Sequence, residues 1–480
     1  MLHLKTESPS RRGGRLLLLA FAQMKKTPTL VLLVLFCFAK SLCGQQSKPL
    51  ADGDIRELLR DIVDKQKRAP GIVVGLIDTG GPRIFNHGTH DADSTNELNG
   101  DTVFEIGSIT KAFTGILLAQ MIQHEQVALE DAAQNYLPAS VKLPTREGKQ
   151  ITLRHLTTHT SGLSPMPNNF RAADPDNPYA DYTVQQLYAF LGRCELNRTP
   201  GEKYDYSNLG AGLLGHILAL KAGTNYEALV RKEICSPLKM DDTLITLTAG
   251  MKNRLAPGHN SAGVRVKNWD LPTLAGAGAL RSTAKDMLKF LTANMGLQPS
   301  PLRPALEQSH VPRFKNSDME FGMGWHIRPA FGARYVWHNG GTGGYHSFAA
   351  FDPKAKRGVV VLANSANAID DLGWHLLNPQ FKVENITARQ VATIDFKVYD
   401  EYVGRYKFPL HGEFVITRNG NRLLAKLDAQ PALEIFPESA TKFFVTVVDA
   451  QISFVKDEQG KVSHLILHQN GLDQKAKKAN

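Results

Sequence analysis

The pattern of apolar and polar positions predicts a helix followed by a strand early in the chain. Apolar residues recur at three- and four-residue intervals through residues 54–66, which places them on one face of a helix. Residues 71–78 (GIVVGLID) are a short, almost wholly apolar run, which is typical of a strand. A second helical stripe runs through 105–122, and a third helix is predicted over 282–295, which opens with a Thr-x-x-Asp capping-box pattern. The chain therefore mixes helices with strands.

Loops and then strands are predicted further on. The stretch 164–178 (SPMPNNFRAADPDNP) is rich in Pro and Asn, which favour turns and interrupt helices. After Arg334 the pattern changes to short runs with strand character, RYVWH, SFAAF and GVVVLAN, with a turn at 352–354. A final helix around 372–377 is expected to close this unit.

From about residue 395 the periodicity changes again. The runs EFVIT and RLLAKL flank Asn419-Gly420, a two-residue hairpin signal, and the runs KFFVTVV, ISFVK and VSHLILH follow. Residues 395–475 therefore predict a small, separate antiparallel β-domain of barrel type. The basic tail, with Lys475, Lys477 and Lys478, is expected to be solvated and frayed.

The first 44 residues have the features of an export signal. The pair Lys25-Lys26 precedes an uninterrupted apolar stretch over 30–39, and residues 41–43 match the small-x-small pattern of a cleavage site. The apolar stretch is shorter than the about 20 residues that span a bilayer, so export is favoured over anchoring. We therefore expect a signal peptide over 1–44, with Met24 as an alternative start. The mature protein would be periplasmic or secreted, with no stable membrane anchor.

Length and charge exclude some classes of function. The chain has 480 residues, of which 42% are hydrophobic and 21% charged, as expected of a globular protein with at least two folding units. Its formal net charge is +10, but seven basic residues against one acidic residue give +6 within 1–44, which leaves +4 for the rest. Because no recognition motif accompanies this mild charge, no nucleic-acid partner is expected.

Cysteine and histidine usage gives little support for a metal site. After residue 44 the chain has only Cys194 and Cys235, too few for a disulfide scaffold or a four-cysteine zinc site. They either form one disulfide or remain two buried thiols. His155 and His159 are four residues apart and could share a helix face, but the Glu of the zinc-peptidase signature is missing. No metal and no other cofactor is expected.

Ser108 is the serine whose own segment supplies a candidate base. A serine hydroxyl needs a base within hydrogen-bond reach to act as a nucleophile at neutral pH. In SITK at 108–111, a helix returns Lys111 to the face of Ser108 one turn later. The serine also stands near a predicted helix start, where backbone N–H groups suit an anionic intermediate. The S-x-x-K pattern alone is frequent by chance, so its context decides.

That context resembles the class C serine β-lactamases and penicillin-binding proteins. FEIGSITK at 104–111 is similar to the active-site serine signature of this superfamily, with Thr110 where Ser or Ala is usual. YSN at 206–208 resembles the second motif, and HNG at 338–340 stands in the place of Lys-Thr-Gly, the third motif. The resemblance covers about residues 50–385. It implies an α+β fold of the serine β-lactamase/DD-peptidase type, with an antiparallel sheet flanked by helices plus a helical region.

The resemblance also implies a role for each matching residue. Ser108 would be the acylated nucleophile, and Lys111 would assist its deprotonation. Tyr206 would act as partner base and as proton donor to the leaving group. Asn208 would bind a substrate amide and hold Lys111. Which of Lys111 and Tyr206 takes the proton of the serine stays open at this point.

The third motif contains an informative departure. By resemblance, the N–H groups of Ser108 and Gly341 would form the oxyanion hole, while Gly340 and Gly341 permit close approach of a ligand. His338 replaces a lysine whose charge binds the carboxylate of penicillins and of D-alanyl-D-alanine. Because histidine titrates at about pH 6.5, a carboxylate anchored by His338 would bind less tightly as the pH passes through about 6–7, so KM should rise. The alternative is that His338 has only a structural role and does not bind the substrate.

These inferences predict a serine hydrolase that forms an acyl-enzyme on Ser108 and hydrolyses β-lactam or D-alanyl amide bonds. An esterase of the same superfamily and a penicillin-binding sensor without turnover are the alternatives. The expected partner is a small-molecule or peptide substrate. The domain at 395–475 resembles the lipocalin-like barrel appended to some of these peptidases. Its role could be oligomerisation or covering the cleft, and the oligomeric state is left open.

Overall fold

The computed structural model describes residues 48–91, 94–384, 391–409, 412–428, 432–445, 450–469 and 472–479. The export signal predicted over 1–44 lies outside these residues. Among the helices of the described ranges, none has the length and apolar character needed to cross a membrane.

The helices connect and flank the strands. They are α1 (Asp52–Arg60), α2 (Thr110–Gln123), α3 (Leu153–Thr157), α4 (Val184–Leu191), α5 (Asn208–Lys221), α6 (Tyr226–Val230), α7 (Ser236–Leu238), α8 (Ala249–Arg254), α9 (Ala275–Gly278), α10 (Ala284–Asn294), α11 (Arg303–Ser309), α12 (Asp370–Leu377) and α13 (Tyr399–Tyr402).

Short strands form two ribbons, and longer ones form a large antiparallel sheet. The ribbons are β3 (Val103–Glu105) with β6 (Arg281–Thr283) and β4 (Gly258–His259) with β5 (Arg265–Val266). The large sheet consists of β1 (Gly71–Asp78), β2 (Gly81–Gly88), β7 (Phe314–Lys315), β8 (Glu320–Phe321), β9 (His326–Ala330), β10 (Ala333–Gly341), β11 (His346–Asp352) and β12 (Arg357–Ala363). Their order across the sheet is β2-β1-β12-β11-β10-β9-β8-β7.

The sequence predictions for this sheet are confirmed. The run at 71–78 is β1, which pairs with β12 from Ile72 opposite Ala363 to Ile77 opposite Gly358. At the predicted turn, Asp352 Oδ1 accepts the backbone N–H of Lys354 at 2.9 Å. The predicted helices over 54–66 and around 372–377 are α1, which continues as a π-turn, and α12.

Alternate side chains of the large sheet enter two different cores, as the period of a strand requires. One face packs with helices α2 and α10 and includes Val73, Val336, Ala349, Phe351, Val360 and Leu362. The opposite face packs with α1 and α12 and includes Ile72, Val74, Tyr335, Phe348, Val359 and Val361. Even-numbered residues of β10 therefore point towards α2, the helix that carries Lys111.

The start of the second helix differs from the prediction. The stretch predicted as helix over 105–122 begins as the end of β3, passes through a 3₁₀ turn at Gly107–Ile109 and becomes helical only at Thr110. The helix predicted over 282–295 is α10, and Thr283 caps it by accepting the N–H of Asp286 at 3.2 Å.

The C-terminal strands close into a barrel with its own packed core. The strands are β13 (Gly404–Lys407), β14 (Glu413–Asn419), β15 (Arg422–Leu427), β16 (Leu433–Pro437), β17 (Lys442–Val445), β18 (Ala450–Lys456), β19 (Val462–Gln469) and β20 (Leu472–Lys478). Tyr402 of α13 stacks inside on Phe454, with ring centroids 4.1 Å apart, and its hydroxyl donates to the carbonyl of Ala440 at 2.6 Å. Apolar and aromatic side chains fill this interior.

Two predictions for the barrel are wrong. The tail is not frayed, because residues 472–478 form β20, which pairs with both β19 and β13 and closes the barrel. Ala476 of this strand is buried in the barrel core. Lysine residues flank it on both sides, so the sequence shows no apolar run that would predict a strand. The hairpin turn is also displaced by one residue, since Asn419 pairs with Arg422 and Gly420 takes the left-handed conformation at φ +60°.

We expect Ala476→Glu to destabilise the barrel by at least about 3 kcal/mol, since it would bury an unpaired carboxylate in a filled core. Lys477→Glu, at the adjacent exposed position, is the matched control and should change stability little. Urea unfolding followed by tyrosine fluorescence measures both. Equal midpoints for the two variants would mean that β20 is not part of the closed barrel.

Candidate active site

Ser108 lies where a strand passes into a helix. It is half-buried in the 3₁₀ turn between β3 and α2, and its two neighbours in the turn are buried. Lys111 follows in the first turn of α2, and its Nζ lies 2.8 Å from Ser108 Oγ. The structure therefore brings together the serine and lysine that the sequence pattern singled out.

Lys111 is buried, with 2% of its surface exposed. Besides Ser108 Oγ, its Nζ lies 2.7 Å from Asn208 Oδ1 and 2.7 Å from the carbonyl oxygen of Ala277. Burial lowers the pKa of Lys111 well below its ordinary value, since desolvation disfavours the ammonium form. Two of the three partners, Asn208 Oδ1 and the Ala277 carbonyl, can only accept hydrogen bonds from Nζ, whereas the Ser108 hydroxyl can accept or donate.

Tyr206 and Asn208 enter the site from the start of α5. The hydroxyl of Tyr206 donates to Ser108 Oγ at 2.8 Å, and Lys111 Nζ lies 4.8 Å from the centroid of the tyrosine ring. Ser207 caps the helix, because its Oγ accepts the N–H of Gly210 at 2.9 Å. Burial raises the pKa of Tyr206, which keeps it a phenol at neutral pH.

The end of β10 passes directly beside the serine turn. Gly107 has φ +47°, and a Cβ there would lie 2.9 Å from the backbone nitrogen of Gly341. A Cβ on Gly340 would lie 2.1 Å from the carbonyl oxygen of Ile106. Both positions therefore need glycine, which permits the left-handed conformation at Gly107 and the contact between the two backbones. Gly341 is exposed, with open space where a side chain would stand.

His338 also faces this region, and it is buried there. It is 1% exposed, stacks on His326 with ring centroids 4.7 Å apart, and lies 6.5 Å from the Tyr206 ring centroid. Burial, then the neighbouring His326 and Lys111, hold the pKa of His338 well below its ordinary value. This lowered pKa disfavours a change of charge on His338 as the pH passes through about 6–7, and the rise in KM expected there stays a prediction.

Three contributors to the site were missed by the sequence analysis. Ala277 supplies only a carbonyl oxygen, which leaves no side-chain signal. His326 comes from β9, outside any motif, and burial lowers its pKa to about 4. His159 was considered only as a metal ligand, yet its ring centroid lies 4.5 Å from that of Tyr206.

The loop predicted over 164–178 lies against a second loop close to the site. Asn177 and Asp270 exchange two hydrogen bonds, of 2.9 and 2.8 Å, and Tyr179 packs edge-on to Trp269 at 5.1 Å. The backbone N–H of Trp269 donates to Glu105, three residues before the serine, at 2.9 Å. These contacts connect the loop to the turn that carries Ser108.

The two cysteines are free thiols, with Cys235 buried and Cys194 half-buried. Each lies near a backbone carbonyl, that of Leu191 for Cys194 and that of Thr243 for Cys235, at 3.6 Å. Among the described residues, no group of three or more His, Cys, Asp or Glu side chains is arranged to hold a metal ion.

An antiparallel sheet flanked by helices, with a serine, a lysine and a tyrosine clustered beside one of its strands, is the arrangement of the serine β-lactamase and DD-peptidase superfamily. The chain belongs to the beta-lactamase family, whose model matches residues 55–377. Residues 388–479, which include the barrel, match a family described as a domain of unknown function, DUF3471.

Individual relatives agree with this assignment. A beta-lactamase from Yersinia enterocolitica is 27% identical over 347 residues, which are 65% of this chain and 86% of that protein. The D-alanyl-D-alanine-carboxypeptidase/endopeptidase AmpH of Escherichia coli K12 is 26% identical over 377 residues, 72% of this chain and 95% of that protein. The fold is also that of a D-alanine carboxypeptidase AmpC from Burkholderia cenocepacia, with a TM-score of 0.60 at 24% identity, covering 68% of this chain and 99% of that one.

We expect Gly107→Ala to lower the free energy of unfolding by about 2 kcal/mol, because its Cβ combines a left-handed φ with a close approach to Gly341. Gly341→Ala is the matched control, since its Cβ would meet no atom within 4 Å. Denaturant unfolding compares the two variants. If both are as stable as the wild type, the serine turn does not depend on the conformation of Gly107.

Proposed function

We propose that the protein forms an acyl-enzyme on Ser108 and hydrolyses a β-lactam or D-alanyl amide bond. The observation that carries the proposal is that Ser108 Oγ lies 2.8 Å from both Lys111 Nζ and the Tyr206 hydroxyl. Burial shifts the pKa values of these neighbours in opposite directions, so that one suits proton acceptance and the other proton donation. The names of two relatives, a beta-lactamase and a D-alanyl-D-alanine-carboxypeptidase/endopeptidase, agree with this substrate class.

Acylation then involves two proton transfers, one to Lys111 and one from Tyr206. As Ser108 Oγ attacks the substrate carbonyl, the neutral amine of Lys111 accepts the hydroxyl proton and becomes an ammonium group. The tetrahedral intermediate collapses when Tyr206 donates its proton to the leaving nitrogen, which breaks the amide bond. Lys111 ends as a cation and Tyr206 as a phenolate, and each stabilises the charge of the other.

Deacylation restores both groups. A water molecule gives one proton to the Tyr206 phenolate, and the resulting hydroxide attacks the acyl carbonyl. Ser108 Oγ leaves and takes back its proton from Lys111, so the amine and the phenol are regenerated. The charge on the carbonyl oxygen in both steps would be stabilised by the N–H groups of Ser108 and Gly341, with Gly340 keeping the strand close to the serine turn.

Asn208 would contact both Lys111 and the substrate. Its Oδ1 accepts a hydrogen bond from Lys111 at 2.7 Å, which leaves its amide N–H₂ group to bind a carbonyl oxygen of the substrate. The loop at 164–178, held to Asp270 by Asn177, would limit the size of the acyl group.

Ester hydrolysis is the second candidate function, and His338 favours it. A neutral imidazole offers no fixed positive charge to the free carboxylate of a penicillin or a D-alanyl peptide. Uncharged esters need no such anchor and would be acylating substrates of the same serine.

We further propose that residues 50–385 form the hydrolase domain and residues 395–475 a separate β-domain. Separate hydrophobic cores and two successive family matches support this division.

Ser108→Ala is expected to abolish covalent labelling by a fluorescent penicillin and by a fluorophosphonate, because it removes the attacking oxygen. Ser300→Ala, which changes a serine in the loop before α11, is the control and should label like the wild type. Intact-protein mass, followed with a chromogenic cephalosporin, a D-alanyl-D-alanine peptide and 4-nitrophenyl acetate, separates turnover from a stable acyl-enzyme. Full labelling of Ser108→Ala would identify another nucleophile.

The pH dependence tests the role of Lys111 as base. For the uncharged 4-nitrophenyl acetate, kcat/KM should rise with pH as Lys111 loses its proton, well below the ordinary value of about 10.4 for lysine. It should stay level through about pH 10, since the pKa of Tyr206 is raised.

Lys111→Arg should lower kcat/KM by about 10³-fold, because a guanidinium group stays protonated. Lys285→Arg, at an exposed position of α10, is the matched control. An arginine variant with near-normal acylation would show that position 111 supplies only positive charge.

A further inference from the structure

His159 lies in a segment that the catalytic account above leaves unused. Its partner in the sequence pattern, His155, belongs to the N-terminal cap of α3, where its Nδ1 accepts the N–H of Thr152 at 3.1 Å. His159 follows the end of that helix, is 4% exposed and adopts φ +56°. Histidine tolerates this left-handed conformation better than most residues.

Three groups of His159 contact three consecutive residues immediately before α5. Its carbonyl oxygen accepts the N–H of Asp205 at 2.7 Å. Its ring packs on Tyr206, with centroids 4.5 Å apart and planes tilted by 32°. Its Nδ1 accepts the N–H of Ser207 at 3.1 Å. One residue therefore fixes the backbone on both sides of Tyr206 as well as the tyrosine ring itself.

The other rings beside Tyr206 are further away. The centroids of His326 and His338 both lie 6.5 Å from that of Tyr206. The phenol thus has a packed face against His159, while its hydroxyl is held by Ser108 Oγ at 2.8 Å. Because Nδ1 of His159 accepts a hydrogen bond, the neutral ring carries its proton on Nε2. Burial and the nearby Lys111 keep the pKa of His159 well below its ordinary value, which maintains this form.

The geometry points to His159 as a positioning residue that holds Tyr206 where it can protonate the leaving group. This inference rests on the proposed function. If His159 positions Tyr206, replacing His159 should affect the departure of the leaving group and not the attack by Ser108. A displaced Tyr206 should still permit attack by Ser108 but should slow the departure of a basic leaving group. An acidic leaving group departs without a proton and should be little affected.

Two acetate esters separate these cases, because they share the acyl group and differ only in the leaving phenol. 4-Nitrophenol is an acidic leaving group and 4-methylphenol a basic one. We expect His159→Leu, which removes both the ring and the acceptor for Ser207, to lower kcat/KM for 4-methylphenyl acetate about 100-fold. For 4-nitrophenyl acetate the change should be less than about threefold.

His159→Asn is the conservative variant. Asparagine tolerates a left-handed φ, and its Oδ1 stands at the same number of bonds from Cα as Nδ1 of histidine, so it can accept the N–H of Ser207. This variant should recover part of the loss, to within about tenfold of the wild type on 4-methylphenyl acetate. It also provides a folded protein if the leucine variant is unstable. His216→Asn, at a half-buried histidine of α5 that contacts Tyr188, is the matched control and should leave both rates unchanged.

A double-mutant cycle with Tyr206→Phe completes the test. If His159 acts through Tyr206, adding His159→Asn to Tyr206→Phe should lower the rate on 4-methylphenyl acetate by less than about threefold further. Additive losses, or equal losses on both esters, would overturn the inference and leave His159 a structural residue. A wild-type protein that is not acylated by either ester or labelled at Ser108 would instead overturn the proposed function, and the inference with it.

Discussion

The burial of the Lys111 amine without a carboxylate partner, in the part of the chain that the structure describes, is the constraint on which the site depends. An isolated ammonium group would lose several kcal/mol of solvation at this position, which lowers the pKa of Lys111 and favours its neutral form. The N–H groups of this buried nitrogen need acceptors. Asn208 at the start of α5 and the carbonyl of Ala277 in α9 supply them. Three segments far apart in the sequence are thus fixed around one nitrogen atom.

The surroundings of that nitrogen follow from the same constraint. His159, His326 and His338 are all buried near Lys111, and burial is the largest cause that lowers each of their pKa values. Burial keeps Tyr206 a phenol. Burial thus favours the neutral forms of the amine, the phenol and the imidazoles in the free enzyme, and in the proposed mechanism charge develops when Ser108 attacks. A lysine in place of His338 would bring a cation close to Lys111 and lower its pKa further, which the histidine avoids.

Much of this arrangement could be predicted from the sequence, and the failures have physical causes. The structure brings Ser108, Lys111 and Tyr206 together as expected. The reason is that the spacing of the serine and the lysine, and the second motif at the tyrosine, are local patterns of the sequence. The predicted start of α2 is too early, because the apolar periodicity gives no indication of the left-handed backbone conformation at Gly107. The last barrel strand was missed because lysines flank its one buried residue, Ala476. The neutral state of His338 depends on burial by residues from other elements, which no local pattern reports.

The proposed mechanism requires Lys111 to be a neutral amine in the free enzyme. NMR of protein labelled with ¹³C at the ε-carbon of lysine follows each ammonium group as it titrates, and the spectrum of Lys111→Arg assigns the signal of residue 111. The account predicts that this signal titrates well below the ordinary value of about 10.4, while the exposed lysines titrate near it. A Lys111 signal that titrates with the exposed lysines would contradict the account, because the serine would then have a cation and not a base beside it.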